Sequence, residues 1–222
     1  MFGKERRHVK MSTKGMLLCL VVLFVVQGCS KKDSPDERFI VGLPQDAIYG
    51  TEVMKEGIYT DPIHGFFEVM PPRGFRIDAK HDKTTSKIPD DSPGAGEIVP
   101  TSRVYFKTEG AQIGVTVSRT FSTSAKDDVD MEKLKSGEHG GAATVHLARW
   151  ITIDDAPGVE IILTIRQGVP YPIITHTVSY VKDGIYHGIA LTVKEPEIYL
   201  KYQPDFVEFL HSYHGIDRKG RN

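Results

Sequence analysis

The chain has 222 residues, with 28 lysines and arginines against 29 aspartates and glutamates, a formal net charge of −1. It has no basic excess, so it lacks the electrostatic footprint of a nucleic-acid binder, and no nucleic-acid partner is expected. Its two cysteines, Cys19 and Cys29, allow at most one disulfide, so stability must rest on an apolar core, for which the length suffices as one domain.

Lys4, Arg6, Arg7, Lys10 and Lys14 form a basic region ahead of an apolar run from Met16 to Val26. A run of about eleven residues fits the apolar part of a signal peptide and is far short of the roughly twenty that span a bilayer. It is apolar on all sides and gives way at once to Gly28, Cys29 and polar residues, which does not suit a core helix. The stretch Val26-Gln27-Gly28-Cys29 resembles the cleavage box of bacterial lipoprotein signal peptides, with an apolar residue three before the cysteine and a small residue just before it. Leu is commoner than Val26 at its position, and Gln27 is bulkier than usual. The resemblance implies removal of residues 1–28 and acylation of Cys29, and Ser30 then implies sorting to the outer membrane, facing the periplasm. Cys19 leaves with the signal peptide, so no disulfide remains. Less five basic and one acidic residue, the mature chain carries 23 and 28, a net charge of about −5. Two or three acyl chains would anchor it firmly, since each buried methylene contributes about 0.8 kcal/mol.

Residues 29–60 start with Lys31, Lys32, Asp33, Ser34, Pro35, Asp36 and Glu37 and read as a lipidated, flexible tether. One folded domain follows over 61–215, with a tail at 216–222. Within it, 66–70 is a short strand ended by Pro71-Pro72. The segment 79–102, with Pro89, Pro93, Gly94, Gly96 and Pro100, reads as a long loop, either functional or loosely ordered. Period-two alternation marks a strand over 112–121, with Ile113, Val115, Val117 and Phe121 on one face. A helix is expected over 128–136, with Asp127, Asp128 and Asp130 near its positive end. Strands follow over 145–153 and 159–167, joined through Asp154-Asp155-Ala156-Pro157-Gly158; Val159, Ile161, Leu163 and Ile165 point inward and Glu160, Thr164 and Arg166 outward. Asp183-Gly184, between strands at 173–182 and 185–193, suits a two-residue hairpin turn with positive φ at both positions. That register places His176, Val178, Tyr180, His187, Ile189 and Leu191 on one face. A C-terminal helix over 197–213 covers it with Ile198, Tyr202, Phe206, Phe209, Leu210 and Tyr213, and Pro204 marks a kink or a fresh start.

Three segments carry a second resemblance. Phe67-Glu68-Val69-Met70-Pro71-Pro72-Arg73-Gly74-Phe75 resembles an opening strand and Pro-x-Gly-aromatic turn, Ile113–Val117 a central strand, and 183–193 a last hairpin strand before the closing helix. Their order, over 61–213, is similar to the PsbP-like family, which includes the extrinsic photosystem II subunit and bacterial lipoproteins of the DcrB kind. The resemblance implies an α+β fold, an antiparallel sheet flanked by helices as an α/β/α sandwich. It also implies a scaffold for assembly and binding, without shared catalytic residues.

Candidate chemistry is sparse. His176 and His187 share a face but stand on the order of 14 Å apart at strand rise, too far for one metal ion. His211 and His214 have a chelating spacing without a third ligand nearby. Asp128, Asp130 and Glu132 alternate like the start of a calcium loop, but Lys133 and His139 stand where that loop needs Gly and Glu. Residues 137–141 lack the ending of a phosphate loop, and no linear hydrolase or metalloprotease motif occurs. Trp150, Tyr171, Tyr180, Tyr186 and Tyr199 are candidates for an aromatic surface. Tyr186, Trp150, His211 and His214 are therefore the candidate binding residues, with no catalytic, cofactor or metal residue assigned. The expected function is a membrane-anchored envelope lipoprotein that binds or assembles another envelope protein without catalysis. The alternative is a small-ligand or metal receptor, with its pocket between sheet and helix or under 79–102, and a hydrolase with a dispersed site stands third.

Overall fold

The computed structural model describes residues 34–52, 56–79, 84–88, 94–124, 129–136, 142–166 and 168–216. After a 3₁₀ turn at Glu37–Ile40 come β1 (Ile48–Tyr49), β2 (Tyr59–Thr60), β3 (Phe67–Val69), β4 (Arg76–Ala79), β5 (Thr85–Lys87), β6 (Ile98–Thr108) and β7 (Ala111–Arg119). Helix α1 (Met131–Ser136), β8 (Ala143–Ile153), β9 (Ala156–Ile165), β10 (Ile173–Lys182), β11 (Ile185–Val193), α2 (Pro196–His211) and β12 (His214–Gly215) follow. The large sheet runs β1-β8-β9-β10-β11-β7-β6-β4, with β5 also on β6, and a small sheet runs β12-β3-β2. Every pairing is antiparallel except that of β1 with β8. The fold is α+β. Helix α2 and the small sheet cover one face of the large sheet, and α1 covers part of the other.

The β10–β11 hairpin has the expected register, Lys182 with Ile185, Tyr180 with His187 and His176 with Leu191. Its turn residues Asp183 and Gly184 have φ of 52° and 72°, the primed geometry that matches strand twist. The β8–β9 connection is tighter than expected: Asp154 and Asp155 alone make the turn, at φ 50° and 61°, and β9 starts at Ala156. Aspartate tolerates this region because its short side chain bonds locally.

Several expectations are corrected. Glu160 and Thr164 do not point outward to solvent; they are 0% and 4% exposed. Strand β9 is covered on both faces, by α1 against Val159, Ile161 and Leu163 and by the main core against Ile162. The face of α2 is rotated, burying Tyr199 and Gln203 with Phe206, Phe209 and Leu210, while Ile198 and Tyr202 are half-buried. Pro204 lies inside one helix. Phe121 lies past the end of β7 and is exposed. The segment 79–102 is not one loop, because it contains β5 and the start of β6. Nor does the tether reach residue 60: Phe39, Ala47 and Tyr49 are core residues. Asp127, Asp128 and residues 137–141 lie outside the described residues, as does Cys29.

Candidate functional site: a cleft where two strands part

Strands β6 and β7 pair from Thr108 with Ala111 down to Thr101 with Ser118, and there the ladder stops. The next residue of β6 is Pro100, which has no N–H to offer. Beyond it β6 goes on, but paired with β5 on its other side, Pro100 opposite Thr85 and Ile98 opposite Lys87. On its other side β7 stays with β11, and the Thr120 N–H donates to the Gly184 carbonyl at 2.9 Å in the register of that ladder. The parting opens a cleft of about 800 Å³, within the usual range for ligand sites. Ile98, Phe121 and Arg119 line its mouth, Lys182, Ile185 and His187 its sheet side, and His64, Phe66, Gly215 and Ile216 the facing wall. Ile98 is 72% exposed and Phe121 51%.

The facing wall is fastened by Asp61. Its buried carboxylate accepts the N–H groups of Ile63, His64 and Phe66 at 3.0, 3.2 and 3.0 Å and the Ser102 hydroxyl at 2.6 Å. That ties the turn after β2 to β6. An Asp-Pro pair at the start of a turn was the available signal for this.

His187 forms the floor, 2% exposed and stacked on Tyr180 at 4.5 Å. Its Nδ1 lies 2.9 Å from the hydroxyl of Tyr213. Burial, with Asp154 and Asp61 nearby, holds the Tyr213 pKa well above its ordinary value, so the phenol keeps its proton. A buried O–H must donate, and His187 Nδ1 is its hydrogen-bond partner. This assigns the ring proton to Nε2. Burial, reinforced by Lys182 and partly opposed by Asp154, pushes the His187 pKa down to about 3, so the imidazole is neutral. Its Nε2 edge lies against Gly215, where a Cβ would come within 3.0 Å of Nε2 and 2.9 Å of Cε1.

Beside the floor, Asp154 collects Lys182 Nζ at 2.9 Å, the Gly215 N–H at 3.0 Å and His214 Nδ1 at 3.2 Å. It fastens β12 to the β8–β9 turn. A second polar network lies at the far end of the core. Glu160 Oε1 accepts from the Tyr49 hydroxyl at 2.9 Å and from His176 Nε2 at 2.7 Å, and Oε2 from Arg149 Nε at 2.6 Å. Burial pushes the Glu160 pKa up, but the hydrogen bond and charge of His176, with Arg149, outweigh it and leave the carboxyl below its ordinary range. Tyr199 bonds to His176 Nδ1 at 3.1 Å, and both Tyr199 and Gln203 donate to the Phe39 carbonyl, at 3.2 and 2.8 Å. Arg149 also donates to the Pro44 carbonyl at 2.8 Å. These groups close on one another and hold the N-terminal segment to the sheet.

The four residues named from sequence do not form one surface. Trp150, 39% exposed, pairs with Val159, which is in line with Ser179 and Gly188. It therefore stands three strands, about 14 Å, from the row beside Tyr186. Tyr186 is half-buried, with its hydroxyl lying over Gly188. His211 packs edge-on against Tyr49 at 5.2 Å, and His214 is occupied at both nitrogens, by Asp154 and by the Glu52 carbonyl at 2.8 Å. His176 and His187 belong to separate networks. Among the described residues no group of three or more His, Cys, Asp and Glu is placed to hold a metal. A pocket under 79–102 was one of the two places expected for a ligand site, and the cleft is lined in part by Glu97, Ile98, Val99 and Pro100 of that segment. The cleft's signal was Pro100 inside a strand.

No protein-family model and no curated protein matches the chain. Solved structures similar at low identity include the following three. A crystal structure from Bacteroides thetaiotaomicron VPI-5482 matches at 8% identity and TM-score 0.45 over 76% of this chain, which spans about half of that protein, 52%. The solution structure of cyanobacterial PsbP (CyanoP) from Synechocystis sp. PCC 6803 matches at 15% identity and TM-score 0.42, over 75% of this chain and 96% of that one. A protein of unknown function from Pseudomonas aeruginosa matches at 14% identity and TM-score 0.35, over 60% and 90%.

Proposed function

We propose that the chain is a cell-envelope lipoprotein, anchored through acyl chains on Cys29 to the outer membrane and facing the periplasm. Its PsbP-like domain binds another envelope protein without catalysing a reaction. The observation that carries the binding reading is the cleft, where Ile98 and Phe121 stand exposed together at the mouth of a formed cavity. Apolar side chains gathered at a concave site mark interaction surfaces more strongly than scattered ones. The anchor rests on the sequence around Val26, Gly28 and Cys29. A small-ligand receptor is the second reading, favoured by the neutral His187 Nε2–H in the cleft floor.

A photoreactive phenylalanine analogue at position 121 tests the binding reading in intact cells. The expected product is one defined envelope protein, crosslinked from position 121 and not from exposed Glu132 on α1. Equal products from both positions, or none, would overturn it. For the anchor, Cys29→Ala should move the chain from the membrane fraction to the soluble one with altered mobility. Unchanged fractionation and mobility would sink that part.

A further inference from the structure

We infer that the cleft takes an extended segment of the partner polypeptide, which adds as a strand to the open edge of β6 at Ile98. This rests on the binding reading above and names what is bound. Main-chain groups in a strand point alternately to either side. On the β5 side, the Glu97 carbonyl accepts from Ile88 at 2.7 Å and the Thr101 N–H donates to Thr84 at 2.8 Å. The intervening even-numbered residues therefore direct their main-chain groups the other way, toward the gap left by β7. Ile98 supplies both an N–H and a C=O there, and neither is paired among the described residues, whereas the Pro100 C=O belongs to the last rung of the β6–β7 ladder. A donor and an acceptor at the spacing of one residue are what a second extended backbone recognises.

The side chains agree with that occupant. A residue paired with Ile98 places its own side chain on the same sheet face as that of Ile98. This is the face of Ser102, Val104 and Phe106, which looks onto the core, and Ile98 and Phe121 would flank an apolar group placed there. The cleft's charged lining is mixed, with Arg119 and Lys182 against Glu97 and Asp183, and Lys182 is already paired with Asp154. Such a balance suits a peptide better than a strongly charged small molecule. The edge is short, so binding is expected to be reversible and to depend on membrane proximity.

The experiment selects phage-displayed eight-residue peptides on the purified mature chain. It then follows main-chain amide exchange by NMR with the best peptide. The expected peptides carry β-branched or aromatic residues at alternate positions and slow exchange at Ile98. Ile98→Pro removes the N–H that faces the cleft together with the side chain, breaks no main-chain bond to β5, and should weaken binding about tenfold or more, as losing one hydrogen bond does. Ile98→Ser keeps that N–H and should weaken binding less. Circular dichroism shows that each variant is folded. Selected peptides that leave Ile98 exchange unchanged, or that bind Ile98→Pro as well as the original chain, would overturn the strand addition, as would a selection that enriches nothing. Concentration-dependent protection of Ile98 without peptide would assign the edge to a second copy of this chain instead. If any of these results came while position 121 still crosslinked one envelope protein, only the strand mode would fall. If the crosslink failed too, the binding reading would fall with it.

Discussion

Glu160→Gln is the substitution that most directly probes how this core is held. Three donors converge on the two carboxylate oxygens, the Tyr49 hydroxyl at 2.9 Å, His176 Nε2 at 2.7 Å and Arg149 Nε at 2.6 Å. Glutamine offers one oxygen and one NH₂ group of nearly the same shape, so at least one donor is left facing another donor. Breaking a buried ion pair from one side costs about 3–5 kcal/mol. Arg149 retains 22% side-chain exposure, and water can take up part of its loss, so the lower end, about 3 kcal/mol, is expected. Urea unfolding of the unlipidated mature chain at pH 7, followed by far-ultraviolet circular dichroism, reads this directly. The sign with pH is also fixed. The folded pKa of Glu160 lies below the ordinary 4.5, so its contribution is full above that value and is lost as pH falls through the folded pKa. The gap between original chain and variant should narrow on acidification below pH 4.5. A loss under about 1 kcal/mol at pH 7 would refute the account, because a satisfied buried carboxylate cannot be so cheaply replaced.

His187 gives a second pH signature of the same sign. Its pKa falls from 6.5 to about 3 on folding, so its contribution is full above 6.5 and declines as pH falls from 6.5 toward 3. Between those limits the original chain should lose up to about 1.4 kcal/mol per pH unit more than His187→Phe, and parallel urea profiles for the two would contradict the buried neutral ring. Gly215→Ala should lower the melting temperature, since its Cβ would meet His187 at 2.9 Å and the Tyr180 hydroxyl at 3.2 Å. Overpacking of this kind costs about 1–3 kcal/mol, or at least about 2 °C in a chain of this size; an unchanged melting curve would show that β12 can move away freely.

Which parts were legible in the sequence follows from what kind of signal each part leaves. The β10–β11 register was readable because Asp183-Gly184 is a local signal, and a two-residue turn fixes every cross-strand partner. Glu160 was misplaced because alternation assumes one wet face, and β9 has none; only tertiary packing reveals that its carboxylate meets His176 and Arg149. Gln203 was missed for a related reason. It is polar, yet it is buried because it donates to the Phe39 carbonyl. The segment at 36–49 read as tether since its polar start dominates its composition. Its folding depends on partners more than a hundred residues away, as when the Asp36 N–H donates to His146. Placing the cleft needed both facts together, the proline in β6 and the change of partner by which β6 leaves β7 for β5.

The fastening of 36–49 alters the geometry of the proposed anchored form. From Cys29 to Asp36 is seven residues, a span of at most about 25 Å, so the domain would be held close to the bilayer. Its point of entry is defined too. Asp36 bonds to His146, His146 bonds to Thr164, and Thr164 pairs with Ile174 near the start of β10. The cleft lies at the other end of that strand, beside Lys182 and Asp183, nine residues on, or about 30 Å at strand rise. Asp36 and the cleft therefore lie at opposite ends of the sheet. A chain entering from the membrane at one end carries its open β6 edge at the end farther from that entry point. In the proposed anchored form so short a tether would confine the volume in which the cleft moves and so would raise its effective concentration for a partner anchored nearby. A two-bond strand edge is too short for tight binding in free solution, and confinement of this kind is what would make it sufficient.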